Sequence, residues 1–261
     1  MCTAMIQNFR GIEEETVQLA ATSSPSCTMS RVVLALTYAN CGKTKKEREN
    51  LLKHWLCKFL QVPDTKFLVD GKTAPASITM FVHKDKGIAR VEYEIGRGGK
   101  VTEVSRGTDK IPQILLVPKL PVLAGGPDLA ALCSNFKTDS LDVVPVEFFS
   151  KLLLPEKRNL EPCAGVLRFL TAQAKADVKF KDSRFWLVEN KKELPIGVAT
   201  QQQQFLLQLL LLARNGVLEN TDFLLMEENL APAVVVNVCE FFDVEPITVK
   251  PEVPLMGNVT W

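Results

Sequence analysis

The chain has few of the residues that do most enzymatic chemistry. Only 2 of its 261 residues are histidine, His54 and His83. Neither has a local nucleophile motif such as Gly-x-Ser-x-Gly to serve. No Cys-x-x-Cys occurs. The seven cysteines are odd in number and scattered, which excludes the paired framework of a small secreted domain and predicts reduced thiols. Long apolar runs are missing as well. The most apolar stretch, Phe205 to Ala213, is far short of the roughly 20 residues that cross a bilayer. Met1 to Arg10 lack the cationic start and apolar core of a secretory leader, so the Asn258-Val259-Thr260 sequon carries no meaning. There is no internal repeat and no heptad pattern. These absences predict a soluble, cytoplasmic protein without membrane association, and they speak against an enzyme.

What remains is ordinary globular material, 46% apolar and 23% charged, long enough for one large domain or two small ones. The net charge of +1 hides an uneven distribution. Residues 31–192 carry 28 Lys/Arg against 18 Asp/Glu (+10), residues 193–261 carry 2 against 9 (−7), and residues 1–30 carry 1 against 3 (−2). Such asymmetry suggests an anionic partner for the middle, or complementary surfaces between copies.

Periodicity predicts an α+β fold: a small antiparallel or mixed sheet with flanking helices, then a mainly helical lobe, with extended terminal arms. Residues 1–29 read as an N-terminal arm holding at most a short helix around Glu13 to Ala20. The lobe 30–120 starts with an apolar run, Arg31 to Tyr38, too short to assign. The next helix is clearer. Thr44 and Glu47 form a capping box, Leu51, Leu52, Trp55, Leu56, Phe59 and Leu60 make one apolar face, and Pro63 ends it. Trp55 and Leu56 should be buried. Alternation in Ala89 to Ile95 marks a strand, with Ile78 to Val82, Val101 to Val104 and Ile114 to Val117 as neighbours in a meander.

The Pro- and Gly-rich segment 118–127 is the candidate boundary. In the lobe 121–244, helices are expected around Asp128–Phe136, Val146–Leu154, Pro162–Ala176, Thr200–Arg214 and Ala233–Phe242. A hairpin joins Val178–Phe180 to Phe185–Val188. The Thr200–Arg214 helix is apolar nearly all round and should be central. Residues 245–261, with three prolines among aliphatics, read as an extended C-terminal arm.

Two candidate sites fail on spacing. Cys41-Gly42-Lys43-Thr44 imitates a phosphate loop, with Asp70 as a possible magnesium-supporting acid. Thr37, however, stands where the loop needs its first glycine, so a helix cap is the better reading. Cys27, Cys41, His54 and Cys57 contain only one pair at zinc-ligand spacing, and no metal or cofactor is expected. The basic residues fall into three sets: Lys45, Lys46 and Lys53 on the capped helix; Arg90, Arg97, Lys100 and Arg106 around a strand pair; and Lys179, Lys181 and Arg184 on the hairpin beside Phe185 and Trp186. Cations with aromatics suit single-stranded nucleic acid. The expectation is therefore a nonenzymatic, nucleocapsid- or coat-like protein binding single-stranded RNA, assembling as a homo-oligomer by exchange of its arms. The alternatives are a partner-binding adaptor and, behind it, a nucleotide-dependent enzyme with a degenerate phosphate loop.

Overall fold

The computed structural model describes residues 2–20, 23–69, 74–84, 87–107, 110–119, 122–124 and 143–250. It is α+β, as the periodicities predict.

The first residues are not an arm. Cys2, Ala4 and Ile6 alternate with Thr3, Met5 and Gln7, and this period of two makes β1 (Cys2–Phe9). The strand pairs antiparallel with β2 (Ile12–Leu19) across the left-handed Arg10 and Gly11. Glu13 to Leu19 is thus strand rather than helix, because Val17 and Leu19 face the same core as Ala4. On its other side β1 pairs with β3 (Ala76–Lys84), which continues into β4 (Gly87–Ile95) and β5 (Val101–Arg106). The result is a five-stranded antiparallel sheet of order β2-β1-β3-β4-β5. The expected meander forms its second half.

Arg31 to Tyr38 lies inside helix α1 (Cys27–Ala39), capped by Ser26, whose hydroxyl accepts from the Met29 amide. Helix α2 (Lys45–Leu60) has the complete capping box of Thr44 and Glu47, and ends on Gln61 in the left-handed conformation. Leu52, Leu56, Phe59 and Leu60 are buried, and Trp55 is half-buried, stacked on Phe59 at 5.0 Å. Losing the cap hydroxyl in Thr44→Ala should cost about 1 kcal/mol by chemical denaturation. Lys43→Ala should stay within about 0.5 kcal/mol of the parent.

Strand β6 (Ile114–Val117) does not join the meander. It pairs parallel with β10 (Phe223–Met226), which pairs parallel with β11 (Glu245–Thr248). All four residues of β6 and of β10 are buried, the unbroken apolar run of a strand covered on both faces. Ile114, Leu116, Phe223, Leu225 and Ile247 face the core shared with α1, α2 and the five-stranded sheet. Leu115, Val117, Leu224 and Met226 face a second core. This second core is formed with α3 (Val144–Leu152), α4 (Ala164–Ala174), α5 (Gln201–Arg214), α6 (Pro232–Phe242) and a small sheet of β7 (Asp177–Lys181), β8 (Arg184–Glu189) and β9 (Lys192–Pro195). As its all-round apolar surface predicts, α5 is central, with Gln204 to Ala213 buried.

The chain therefore does not divide into independent lobes at residue 120. The parallel sheet takes β6 from one side of that boundary and β10 and β11 from the other, and each core needs one face of it. The C-terminal arm is corrected in the same way. Its first residues, 245–248, are an internal strand, and Ile247 and Val249 are buried. Residues 251–261, and the helix expected at 128–136, lie outside the described residues.

Candidate functional site at the carboxyl edge of the parallel sheet

In sheets of parallel strands the carboxyl edge is where ligands are received, and a helix N-terminus pointing there offers free amides to anions. The N-terminus of α1 lies at that edge. The Lys250 amide, just past β11, donates to the Pro25 carbonyl at 2.8 Å. The Ser24 hydroxyl donates to the Thr248 carbonyl at 3.1 Å. Beyond β10, Glu227 lies 3.9 Å from the Arg31 guanidinium of α1, and its carboxylate accepts from the Lys119 amide at 2.9 Å.

A loop, a helix N-terminus and an acid after a buried parallel strand are parts that phosphate-binding sites also use, although the strand before this loop, β2, belongs to the antiparallel sheet. These parts are degenerate. Across Ala21-Thr22-Ser23-Ser24-Pro25-Ser26-Cys27-Thr28, a Gly-x-x-x-x-Gly-Lys-Ser/Thr loop would need glycine at 21 and 26 and lysine at 27. Only Thr28 keeps its place. The donors at this helix N-terminus are already engaged: the Ser26 amide (3.0 Å) and hydroxyl (2.6 Å) both donate to the carboxylate of Glu15 on β2. Arg31, the nearby cation, donates to the Phe59 carbonyl at 2.7 Å and faces Glu227.

Glu15, Ser26 and Glu227 escaped the sequence reading. The legible signal was an apolar run, Phe223 to Met226, ending on Glu227 and Glu228. The Cys41 to Thr44 loop follows a helix instead of a strand. Its Lys43 and Thr44 amides donate to Glu47 (2.8 and 3.0 Å), which leaves a helix cap. Asp70 lies outside the described residues.

The sulfur cluster does not assemble. Cys27 and Cys41 flank a helix of 13 residues, which separates them by about 20 Å at 1.5 Å per residue. Among the described residues no group of three or more His, Cys, Asp or Glu could hold a metal ion, and six cysteines are free thiols. No helix among those residues is long and apolar enough to cross a membrane.

The basic residues are dispersed, and half of them are paired. Lys45 reaches Glu49 at 4.0 Å, Lys53 reaches Asp64 at 3.2 Å, Arg90 reaches Glu92 at 2.7 Å and Lys179 reaches Glu193 at 3.1 Å. Arg106 is nearly buried, 3.8 Å from Glu103. Lys46, Arg97, Lys100, Lys181 and Arg184 are exposed, but on α2, on the β4–β5 turn and on the β7–β8 hairpin. The hairpin belongs to the other core from the first two. Phe185, expected to stack a base, is buried.

No family model matches the chain, and no curated protein matches it. Solved structures similar to it include the Smc head domain of Pyrococcus furiosus with an extended coiled coil, bound to the C-terminal domain of ScpA. That likeness has 10% identity and a TM-score of 0.48, covering 97% of this chain and 90% of the other. A SmcHead bound to the C-winged helix domain of ScpA shows 9% identity and a TM-score of 0.49, covering 96% and 89%. The SMC head domain from Thermotoga maritima shows 8% and 0.42, covering 96% and 88%. At these values the likeness assigns neither activity nor partner. The RNA-binding, nucleocapsid-like expectation is corrected. The dispersal of the basic residues gives its physical reason.

Proposed function

We propose that this protein is a partner-binding adaptor that does not hydrolyse nucleotide, the donors at its α1 N-terminus being held by its own side chain. The observation that carries this reading is Glu15 on the Ser26 amide and hydroxyl. A nucleotide phosphate would have to displace a carboxylate already holding the same donors. It would also meet the carboxylate of Glu227 without a loop lysine to offset the repulsion. Exposed Leu153, Leu154 and Phe180, which line one groove, supply contact area for a protein partner.

A second reading, a nucleotide-dependent enzyme, has one feature in its favour: Thr28 in the first turn of α1 and Glu227 after β10 are residue types that support magnesium in such sites. Titration calorimetry of the whole chain with magnesium and ATP separates the two. The adaptor shows no saturable binding with a Kd below about 1 mM. Micromolar binding that Glu227→Gln abolishes would establish the enzyme instead.

A further inference from the structure

Strand β7 is an edge of its small sheet. Its hairpin with β8 turns through Asp182 and Ser183, both left-handed (φ 53° and 60°), which is a two-residue primed turn. In such a hairpin the pair closing the turn, Lys181 with Arg184, exchanges backbone hydrogen bonds, and so does every second pair after it. Val178 and Phe180 therefore turn their amides and carbonyls towards the open edge. Those of Val178 are satisfied: its amide donates to Asp177 Oδ1 at 2.6 Å, and its carbonyl accepts from Arg214 at 3.4 Å. Those of Phe180 have no partner among the described residues.

The same edge borders an open groove of about 800 Å³, whose apolar lining includes Leu153, Leu154, Leu160, Phe180 and Phe185. Phe180 is 49% exposed, with Leu153 and Leu154 beside the groove at 41% and 44%. The acids around it are committed: Glu193 to Lys179, and Asp177 and Glu156 to Arg214. Lys181 and Arg184 have no acidic partner among the described residues. With Asp182 in the turn between them, and with Asp177 and Glu156 sharing Arg214, the edge is balanced in total charge. Its cations Lys179 and Lys181, however, are gathered on the face of β7 opposite Phe180.

We propose that the β7 edge takes up an extended segment of a partner protein by strand addition. The segment alternates Asp or Glu with large aliphatic residues. Alternation follows from the pleat. A residue opposite Phe180 points to the groove side, and its neighbours opposite Lys179 and Lys181 point to the other face, where carboxylates meet cations. A second copy of this chain does not fit, because edge-to-edge pairing would set lysine against lysine, the usual protection of an edge strand. An acidic segment turns that protection into selectivity. This inference rests on the adaptor reading and names the kind of partner.

The probe is a fluorescein-labelled nine-residue peptide of alternating glutamate and leucine, followed by anisotropy against the full chain. Two controls carry the same residues: one with the glutamates gathered in one half, and one N-methylated on alternate amides along the pairing edge. The expected result is saturable binding to the alternating peptide, weakened at least tenfold in both controls, in Phe180→Ser and in Lys181→Glu. Lys181 is exposed, so Lys181→Glu should leave the thermal midpoint unmoved, whereas Phe180→Ser also loses the ring contact with Phe185 and is compared below its lowered midpoint. Equal binding of the gathered control would reduce the effect to charge attraction and overturn the proposal. Absence of binding, or binding indifferent to Phe180 and Lys181, would overturn it too. Neither result touches the adaptor reading, which fails only on nucleotide binding.

Discussion

Replacing Glu103 with alanine is expected to destabilise the protein by about 3–5 kcal/mol, the cost of stranding a buried charge. Glu103 on β5 is 5% exposed. Both its oxygens are held by Arg48 of α2, each at 2.7 Å, and one also accepts from the Tyr93 hydroxyl at 2.9 Å. Its amide donates to Glu49 of the same helix at 2.9 Å. This cluster fixes α2 on the five-stranded sheet. Without the carboxylate, Arg48 keeps only two long bonds to the Gly42 and Lys43 carbonyls (3.5 and 3.4 Å), and Tyr93 is buried without its acceptor. The paired change Arg48→Met with Glu103→Leu should cost less than Glu103→Ala, since Arg48 is no longer stranded, although Arg106 and the Tyr93 hydroxyl still lose the carboxylate.

The same residue sets an acid dependence. The hydrogen bonds from Arg48, aided by Tyr93, hold the Glu103 carboxyl below its ordinary 4.5. The lowered group contributes stability that is fully present above the ordinary value and lost as pH falls through the folded one. Urea midpoints measured from pH 6 to pH 3 should fall more steeply for the parent than for the paired variant. Parallel curves, or a Glu103→Ala protein with the parent's midpoint, would show that the cluster contributes nothing.

Removing residues 245–261 is expected to unfold the chain instead of releasing a folded monomer. Strand β11 is hydrogen-bonded to β10 along its length, and Ile247 and Val249 are 0% and 2% exposed. Burial of two such side chains is worth roughly 3–6 kcal/mol at about 1.5–3 kcal/mol each, before the lost ladder is counted. Total stabilities are commonly only about 5–15 kcal/mol. Circular dichroism of the truncated protein should show loss of cooperative unfolding. A truncated protein that stays folded but loses higher-order assembly would restore arm exchange between subunits. The structure gives the reason to expect otherwise: through residue 250, both ends of the chain are strands of its own sheets.

Local rules reached far into this fold. Thr44, Glu47 and Pro63 delimit α2 because caps and prolines act within one turn of chain. The alternation of Ala89 to Ile95 gave β4, and the apolar circumference of Phe205 to Leu212 placed α5 at a core, since each pattern records how many faces of an element meet water. The β7–β8 hairpin was readable for the same reason. At Cys2 to Leu19 the alternation was present but weak, because Thr3, Met5 and Gln7 are not strongly polar and three glutamates in a row imitate a helix start.

Which strands are neighbours was not written locally. Ile114 to Val117 reads as one more strand of a meander, and nothing within it points to Phe223 to Met226 more than a hundred residues away. Only burial on both faces makes these runs a parallel sheet, and only that sheet brings the α1 N-terminus to its carboxyl edge. The site followed the same division. The sequence displayed an acid pair after an apolar run, a serine-rich loop and a set of basic residues. Folding decided that Glu15 closes the Ser26 amide and that Arg106 is turned inward to Glu103. It also decided that the remaining basic residues separate, because hydrogen bonds and charge pairs form between groups that are close in space, and one dimension of chain does not fix that distance.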